Sequence, residues 1–220
     1  MPDGVYTILH SNSKYVGGLM ACPPEAPPCW TYYVTVHDIQ KFIKENDLNM
    51  IVPLQDSMGG PFGGFLDPQG AFLSLIQHRD SSEHDEKAIA STQEALTTHG
   101  AFSWFELQTH DPKAASDWYS KLFGWSIKKI KIPSDYYIVS VNGTEIGGIM
   151  ELVDPNVPPH WNCIVTVDDV DAVQAKIPEL GGTVLAPAFD LPNIGRLLYT
   201  LDPAGVPIAF ATWVPQSSEE

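Results

Sequence analysis

The residues best placed for chemistry lie in residues 101–124, AFSWFELQTHDPKAASDWYSKLFG. In a strand over 102–109, side chains alternate between faces. Trp104, Glu106 and Gln108 then share one face, while Phe105 and Leu107 share the other. An aromatic ring, a carboxylate and an amide on one face suit a wet or ligand-filled cavity better than a core. Burial raises the pKa of a carboxylate, so Glu106 is a candidate general acid or base. The other reading is that Glu106 hydrogen-bonds a neighbouring strand and holds the sheet together. Trp104 either stacks on a flat ligand or fills the cavity itself. No Ser-His-Asp or Cys-His order stands out, and no Gly-rich phosphate loop is present. Gly17-Gly18 and Gly147-Gly148 fall inside strand-like runs and read as bulges or close packing.

The same stretch predicts the elements that carry these residues. Asp111 is an expected N-cap, Pro112 suits the first helical position, and Gly124 suits the C′ position. Ala115, Trp118, Tyr119, Leu122 and Phe123 recur at helical spacing and form an apolar stripe. That stripe is expected to bury against Phe105 and Leu107, leaving Trp104, Glu106 and Gln108 facing away.

Composition narrows the function classes. The chain has 220 residues, a formal net charge of −15 and 44% hydrophobic residues, so one large or two small domains can form a core. Its acidity argues against binding nucleic acid or anionic membrane surfaces. No apolar run approaches the roughly 18–20 residues of a membrane span. No signal peptide is visible at the N-terminus. Cys22, Cys29 and Cys163 are an odd number without framework spacing and read as reduced thiols of a cytoplasmic protein.

An internal repeat organises the chain. Tyr6-Thr7-Ile8-Leu9 aligns with Tyr136-Tyr137-Ile138-Val139, and Gly17-Gly18-Leu19-Met20 with Gly147-Gly148-Ile149-Met150, both at an offset of 130 residues. With small slips, residues 27–30 match 158–161, residues 33–39 match 164–170, and Asp67-Pro68-Gln69-Gly70 matches Asp202-Pro203-Ala204-Gly205. The offset implies that the first copy lacks roughly 30 residues at its start, its opening β-α-β portion.

Strands are expected at 5–10, 15–20, 32–36, 51–55, 63–66 and 72–76, with a helix after Asp38 burying Ile39, Phe42 and Ile43. Residues 79–100 read as a polar linker with a helical stretch near 86–95. The second copy predicts a strand at 102–109, a helix at 112–123, and strands at 126–131, 136–141, 145–151 and 162–167. A helix capped by Asp168 or Asp169 follows, with Val170, Val173, Ile177 and Leu180 on its buried face and Pro178 kinking or shortening it. Strands at 183–186, 196–202 and 208–213 close the unit. The expected fold class is α+β, with tandem βαβββ modules forming half-barrel cups and helices outside. The expected domains are an incomplete one at 1–80, an acidic linker at 81–100, a complete one at 101–214 and a tail at 215–220.

The chain resembles the vicinal oxygen chelate superfamily of glyoxalases, bleomycin-resistance proteins and extradiol dioxygenases. Trp104-Phe105-Glu106-Leu107, Asp111-Pro112, Trp118-Tyr119, Leu122-Phe123-Gly124-Trp125, residues 146–150, residues 167–171, Leu180-Gly181-Gly182 and Asp202-Pro203-Ala204-Gly205 carry the resemblance. It is most similar to the tandem two-domain subgroup labelled glyoxalase-like proteins or hydroxylases. The resemblance covers 102–213 and, less its start, 5–78. Members that use a metal bind it through His, Gln or Glu on particular strands, and such donors suit Fe, Ni, Zn, Mn or Co. By counting, those positions here hold Trp104, Asn162 and Ala209 in the second copy, and Thr31 and Ser74 in the first. No metal and no other cofactor is therefore expected.

His160 lies two positions before one expected ligand, on the same strand parity. It is a shifted ligand, a general base, or a half-exposed histidine after a Pro-Pro turn. His84 among Glu83, Asp85 and Glu86 reads as part of a solvated linker. Asn162, Thr166 and Tyr199 are candidate polar contacts for a ligand, with Thr31, Tyr33 and Ser74 as counterparts in the first copy.

Three readings follow. The first is a small-molecule-binding protein without the usual metal, holding its ligand in the second cup, as bleomycin-resistance proteins do. The second is an enzyme: a metal-free lyase, isomerase or hydrolase using Glu106, or a metal enzyme with displaced ligands and dioxygenase-like chemistry. The third is a structural or interaction protein whose cup is plugged by its own side chains. The incomplete first module predicts an unpaired edge, and with it homodimerisation or loose packing.

Overall fold

The computed structural model describes residues 6–11, 13–22, 26–57, 59–79, 92–132 and 134–214. Most of the expected linker, including His84, and the tail from residue 215 lie outside them. The strands are β1 (Thr7–Ser11), β2 (Lys14–Leu19), β3 (Tyr33–Thr35), β4 (Asn49–Gln55), β5 (Phe62–Leu66), β6 (Phe72–Ile76), β7 (Phe102–Thr109), β8 (Ser126–Ile132), β9 (Ser134–Val141), β10 (Thr144–Glu151), β11 (His160–Thr166), β12 (Thr183–Val184), β13 (Phe189–Leu191), β14 (Gly195–Leu201) and β15 (Pro207–Trp213). The helices are α1 (Ile39–Asn46), α2 (Thr92–Thr97), α3 (Pro112–Phe123) and α4 (Val170–Lys176).

The described residues form two compact units that do not follow the two sequence repeats. One draws on residues 6–30, 92–104 and 163–214, the other on 31–79 and 105–162. Strands β7 and β11 each contribute residues to both. The second unit holds two βαβββ modules, with strand orders β3-β6-β5-β4 and β7-β10-β9-β8. The first unit holds a third module, ordered β11-β15-β14-β12 with β13 also on β14, together with the hairpin β1-β2. In every module the opening strand runs parallel to the closing one, while the others pair antiparallel. The fold class is therefore α+β, built from βαβββ modules.

The predicted caps explain where the helices start. The side chain of Asp38 accepts from Lys41 N, that of Asp111 from Ala114 N, and that of Asp169 from Ala172 N. Each pairs an otherwise orphaned donor and stabilises its helix by about 1 kcal/mol. Gly124 takes the left-handed conformation that ends α3 (φ 71°).

In the second unit the stripe of α3 buries as its spacing predicts. Ala115 and Tyr119 are enclosed, and Trp118, Leu122 and Phe123 pack around them with Phe105 and Leu107 of β7. Helix α1 joins the same core through Ile39, Phe42 and Ile43, and Phe42 stacks on Phe123 at 5.6 Å. In the first unit, Val170 and Val173 of α4 pack against Val165, Val167, Leu198 and Phe210. One expectation fails here. Leu180 is exposed, because α4 ends at Lys176, just before Pro178, and the helical face does not continue that far. Strand β13 was not foreseen, since three residues carry too little alternation to read.

Candidate functional site

The β7 face opposite α3 carries the candidate chemistry. In the second unit Glu106 is only 3% exposed and Gln108 is buried beside it. Gln108 Nε2 donates to Glu106 Oε1 at 3.1 Å, and the Tyr136 hydroxyl donates to Glu106 Oε2 at 3.2 Å. Two different strands, β7 and β9, thus meet at one carboxylate. These hydrogen bonds offset part of the cost of burying the group.

Gly148 makes this arrangement possible. It pairs with Glu106 on β7 and with Ile138 on β9. A Cβ added at Gly148 would lie 2.2 Å from ring atoms of Tyr136. The ring therefore occupies the space above the glycine on its way to Glu106. Gly147 is constrained differently, since its Cβ would meet the Phe105 carbonyl oxygen at 2.0 Å. The glycine pair is thus close packing, one of its two expected meanings. The first repeat shows the same device, with Tyr6 lying across Gly18.

Asn162 on β11 belongs to the same unit and is 1% exposed. Its Oδ1 has no hydrogen-bond partner among the described residues. A buried, unsatisfied acceptor costs about 1–3 kcal/mol. His160 is half-buried at the start of β11, with Nδ1 2.9 Å from the Pro158 carbonyl oxygen. Nδ1 donates there when it carries the proton.

The remaining candidates lie in the first unit. Trp104 and Tyr199 pack, with Leu191 and Trp213, against a buried floor of Ile164, Leu197, Ala209 and Ala211. Trp104 lies 6.4 Å from Trp213, and Tyr199 stacks on Phe189 at 6.2 Å. Thr166 is engaged structurally: its hydroxyl donates to the Ala95 carbonyl at 2.8 Å and accepts from Trp213 Nε1 at 3.0 Å. The expected residues therefore divide between an aromatic cluster around Trp104 and Tyr199 and a polar group at Glu106 and Gln108. Tyr136 belongs to that polar group and was missed. The signal for it was the repeated tyrosine twelve residues before the second glycine of each pair.

A second buried polar chain in the second unit was also missed. Tyr119 OH donates to Asp67 Oδ2 at 3.0 Å and accepts from Trp161 Nε1 at 3.1 Å. Asp67 Oδ1 accepts from the backbone N–H groups of Gln69 and Ala71. Burial, and then the Asp67 charge, push the Tyr119 phenol well above its ordinary pKa.

The residues do not fit the family's metal. Trp104 and Ala209 offer no donor, and Asn162 offers only a neutral carbonyl to ions that prefer imidazole and carboxylate. Among the described residues, no three His, Cys, Asp or Glu side chains converge.

A family model described as the Glyoxalase/Bleomycin resistance protein/Dioxygenase superfamily matches residues 101–210. The chain is 30% identical over 223 residues to "Putative glyoxylase CFP32" of Mycobacterium tuberculosis, covering 97% of this chain and 82% of that protein. It is 29% identical over 189 residues to the "Anthracycline biosynthesis protein DnrV" of Streptomyces peucetius, covering 81% and 64%. Among solved structures, homoprotocatechuate 2,3-dioxygenase from Brevibacterium fuscum superposes with a TM-score of 0.60 at 12% identity, covering all of this chain and 74% of that one. At that identity the likeness concerns the fold alone.

Proposed function

Because the chain belongs to the glyoxalase/bleomycin resistance protein/dioxygenase superfamily, we propose that it binds a small organic molecule on the β7 face that carries Glu106, without the metal used elsewhere in the superfamily. The observation that carries this reading is the orphaned Oδ1 of Asn162. A ligand bringing a hydroxyl or N–H to that atom removes a standing cost, and Glu106 and Gln108 supply further acceptors and a donor. Tyr136 moves aside or donates to the ligand in its turn. Trp104 and Tyr199 are proposed as ligand contacts within the first unit's own aromatic cluster, and the protein is proposed to act in the cytoplasm as a homodimer.

The plugged reading is supported by the same carboxylate, which already bonds the protein's own Tyr136 and Gln108. A ligand-observed NMR screen separates the two. The probes are neutral hydroxyl- and carbonyl-bearing compounds below about 300 Da, within the range of common pockets. Saturable binding that is lost in Glu106→Ala supports the binding reading. A blank screen supports the plugged one. If a bound compound is also converted, and Glu106→Gln abolishes conversion while retaining binding, Glu106 is a catalytic base.

A further inference from the structure

We propose that the small molecule taken on the Glu106 face carries a carboxylate, and that Lys128 of β8 is the residue that selects it. This rests on the reading that a ligand binds beside Glu106, and it adds the ligand's charge and the place where that charge is met.

Strand register puts Lys128 on the same face as Glu106. Lys128 pairs with Ile138, Ile138 with Gly148, and Gly148 with Glu106. Residues directly opposite each other on neighbouring strands share a face. These four therefore form one row across β8, β9, β10 and β7. The next row is Ile130, Tyr136, Met150 and Gln108. On this face Ile130, Tyr136, Ile138 and Met150 are half-buried and Lys128 is exposed. On the opposite face Leu107, Tyr137, Val139 and Ile149 are buried in the core with α3. The half-open face thus has a cation at one end, an apolar middle, and a carboxylate and an amide at the other end. Strand β11, which carries Asn162, flanks β7 beyond that end. Strands lie about 4.8 Å apart, so three spacings separate the backbones of Lys128 and Glu106 by about 14 Å. The two side chains and one small molecule span that distance.

Lysines on an edge strand also discourage the addition of further strands. Lys129 and Lys131, on the opposite face by alternation, already charge this edge, and Lys129 is tied to Asp135 at 2.6 Å. Among the described residues Lys128 forms no ion pair, not even with Glu145, which stands opposite Ser140 in the neighbouring row. Charge makes this lysine matter. A chain of net charge −15 repels anions over most of its surface, so an anion held here needs a cation of its own. Lys128 is the one basic residue in the two rows. A single ammonium suits a singly charged carboxylate better than a phosphate dianion.

Calorimetric and ligand-observed NMR titrations of the full chain with matched pairs test this. The probes are para-hydroxyphenylpropionate and ε-hydroxycaproate, each against its own carboxamide. Each carboxylate is expected to bind tighter than its amide, by a factor on the order of three or more. Lys128→Gln is expected to remove or reverse that preference and to leave amide affinity unchanged. Lys131→Gln, on the opposite face, is expected to keep the preference. Lys128 is exposed, so its substitution spares the core, and near-UV circular dichroism checks the fold. Amides that bind as tightly as their acids, or a preference that survives Lys128→Gln, overturn this assignment and leave the binding reading standing. Binding by neither member of either pair overturns this proposal and counts against the binding reading as well.

Discussion

Tyr119 shows how much one hydroxyl can hold. It bonds Asp67 and Trp161 at once, and all three side chains are buried. Tyr119→Phe keeps the ring stacking but strands a carboxylate oxygen and an indole N–H. We expect a loss of about 1–3 kcal/mol in urea denaturation. The pH sign follows from the raised phenol pKa. The folded state resists ionisation that the unfolded chain undergoes near pH 10, about the ordinary tyrosine value. The contribution is full below that pH and is lost as pH rises toward the folded pKa. Stability should fall above about pH 10, and less steeply in Tyr119→Phe. Asn162 should behave in the opposite sense. Asn162→Leu removes a buried orphan and is expected to raise stability by about 1 kcal/mol, while weakening ligand binding. A stability loss there would show that Oδ1 has a partner. The alternation along β7 announced Glu106 and Gln108. The bond from Tyr136 to Glu106 was hidden because the tyrosine comes from another strand, and which strands become neighbours is not written in local spacing.

At the scale of elements, α3 and its cap were legible to the residue, because Asp111, Pro112 and Gly124 each have a local physical role. The short strand β13 and the end of α4 were not read, since their limits depend on pairing with β14 and on a proline cutting the apolar stripe. Gly148→Ala tests the close packing of β10 on Tyr136. The added methyl displaces the ring, breaks the Tyr136–Glu106 bond, and is expected to cost about 1–3 kcal/mol. Arg196 ties three elements together. Its guanidinium grips Asp171 of α4 through two bonds, at 2.8 and 2.9 Å, and reaches Asp190 of β13 at 3.1 Å. These bonds hold the Asp171 carboxyl below its usual pKa. A depressed carboxylate contributes stability above its unfolded pKa and loses it as pH falls through the folded value. Arg196→Gln should therefore lower stability slightly near neutrality, where the contribution of this exposed group is full, and flatten the acid limb below about pH 4, where variant and wild type converge.

Across the whole molecule, the repeat and the βαβββ pattern revealed the fold class, because turns and periodicity recur in order. The composition of the two units did not emerge from the sequence, because each unit takes residues from both repeats. The ligand stayed hidden for a chemical reason: one carboxylate, two amides and several aromatic rings suit many small molecules. The absence of the family's donor set at Trp104, Asn162 and Ala209 predicts no stoichiometric transition metal in protein purified without added metal or affinity tag. Elemental analysis checks that. The central claim is where a ligand sits. The most direct measurement is backbone amide NMR of labelled protein titrated with a hit from the screen. The account predicts saturable shifts centred on Glu106, Gln108 and Asn162 that disappear in Glu106→Ala. Saturable shifts confined to residues away from β7 and β11 would contradict it.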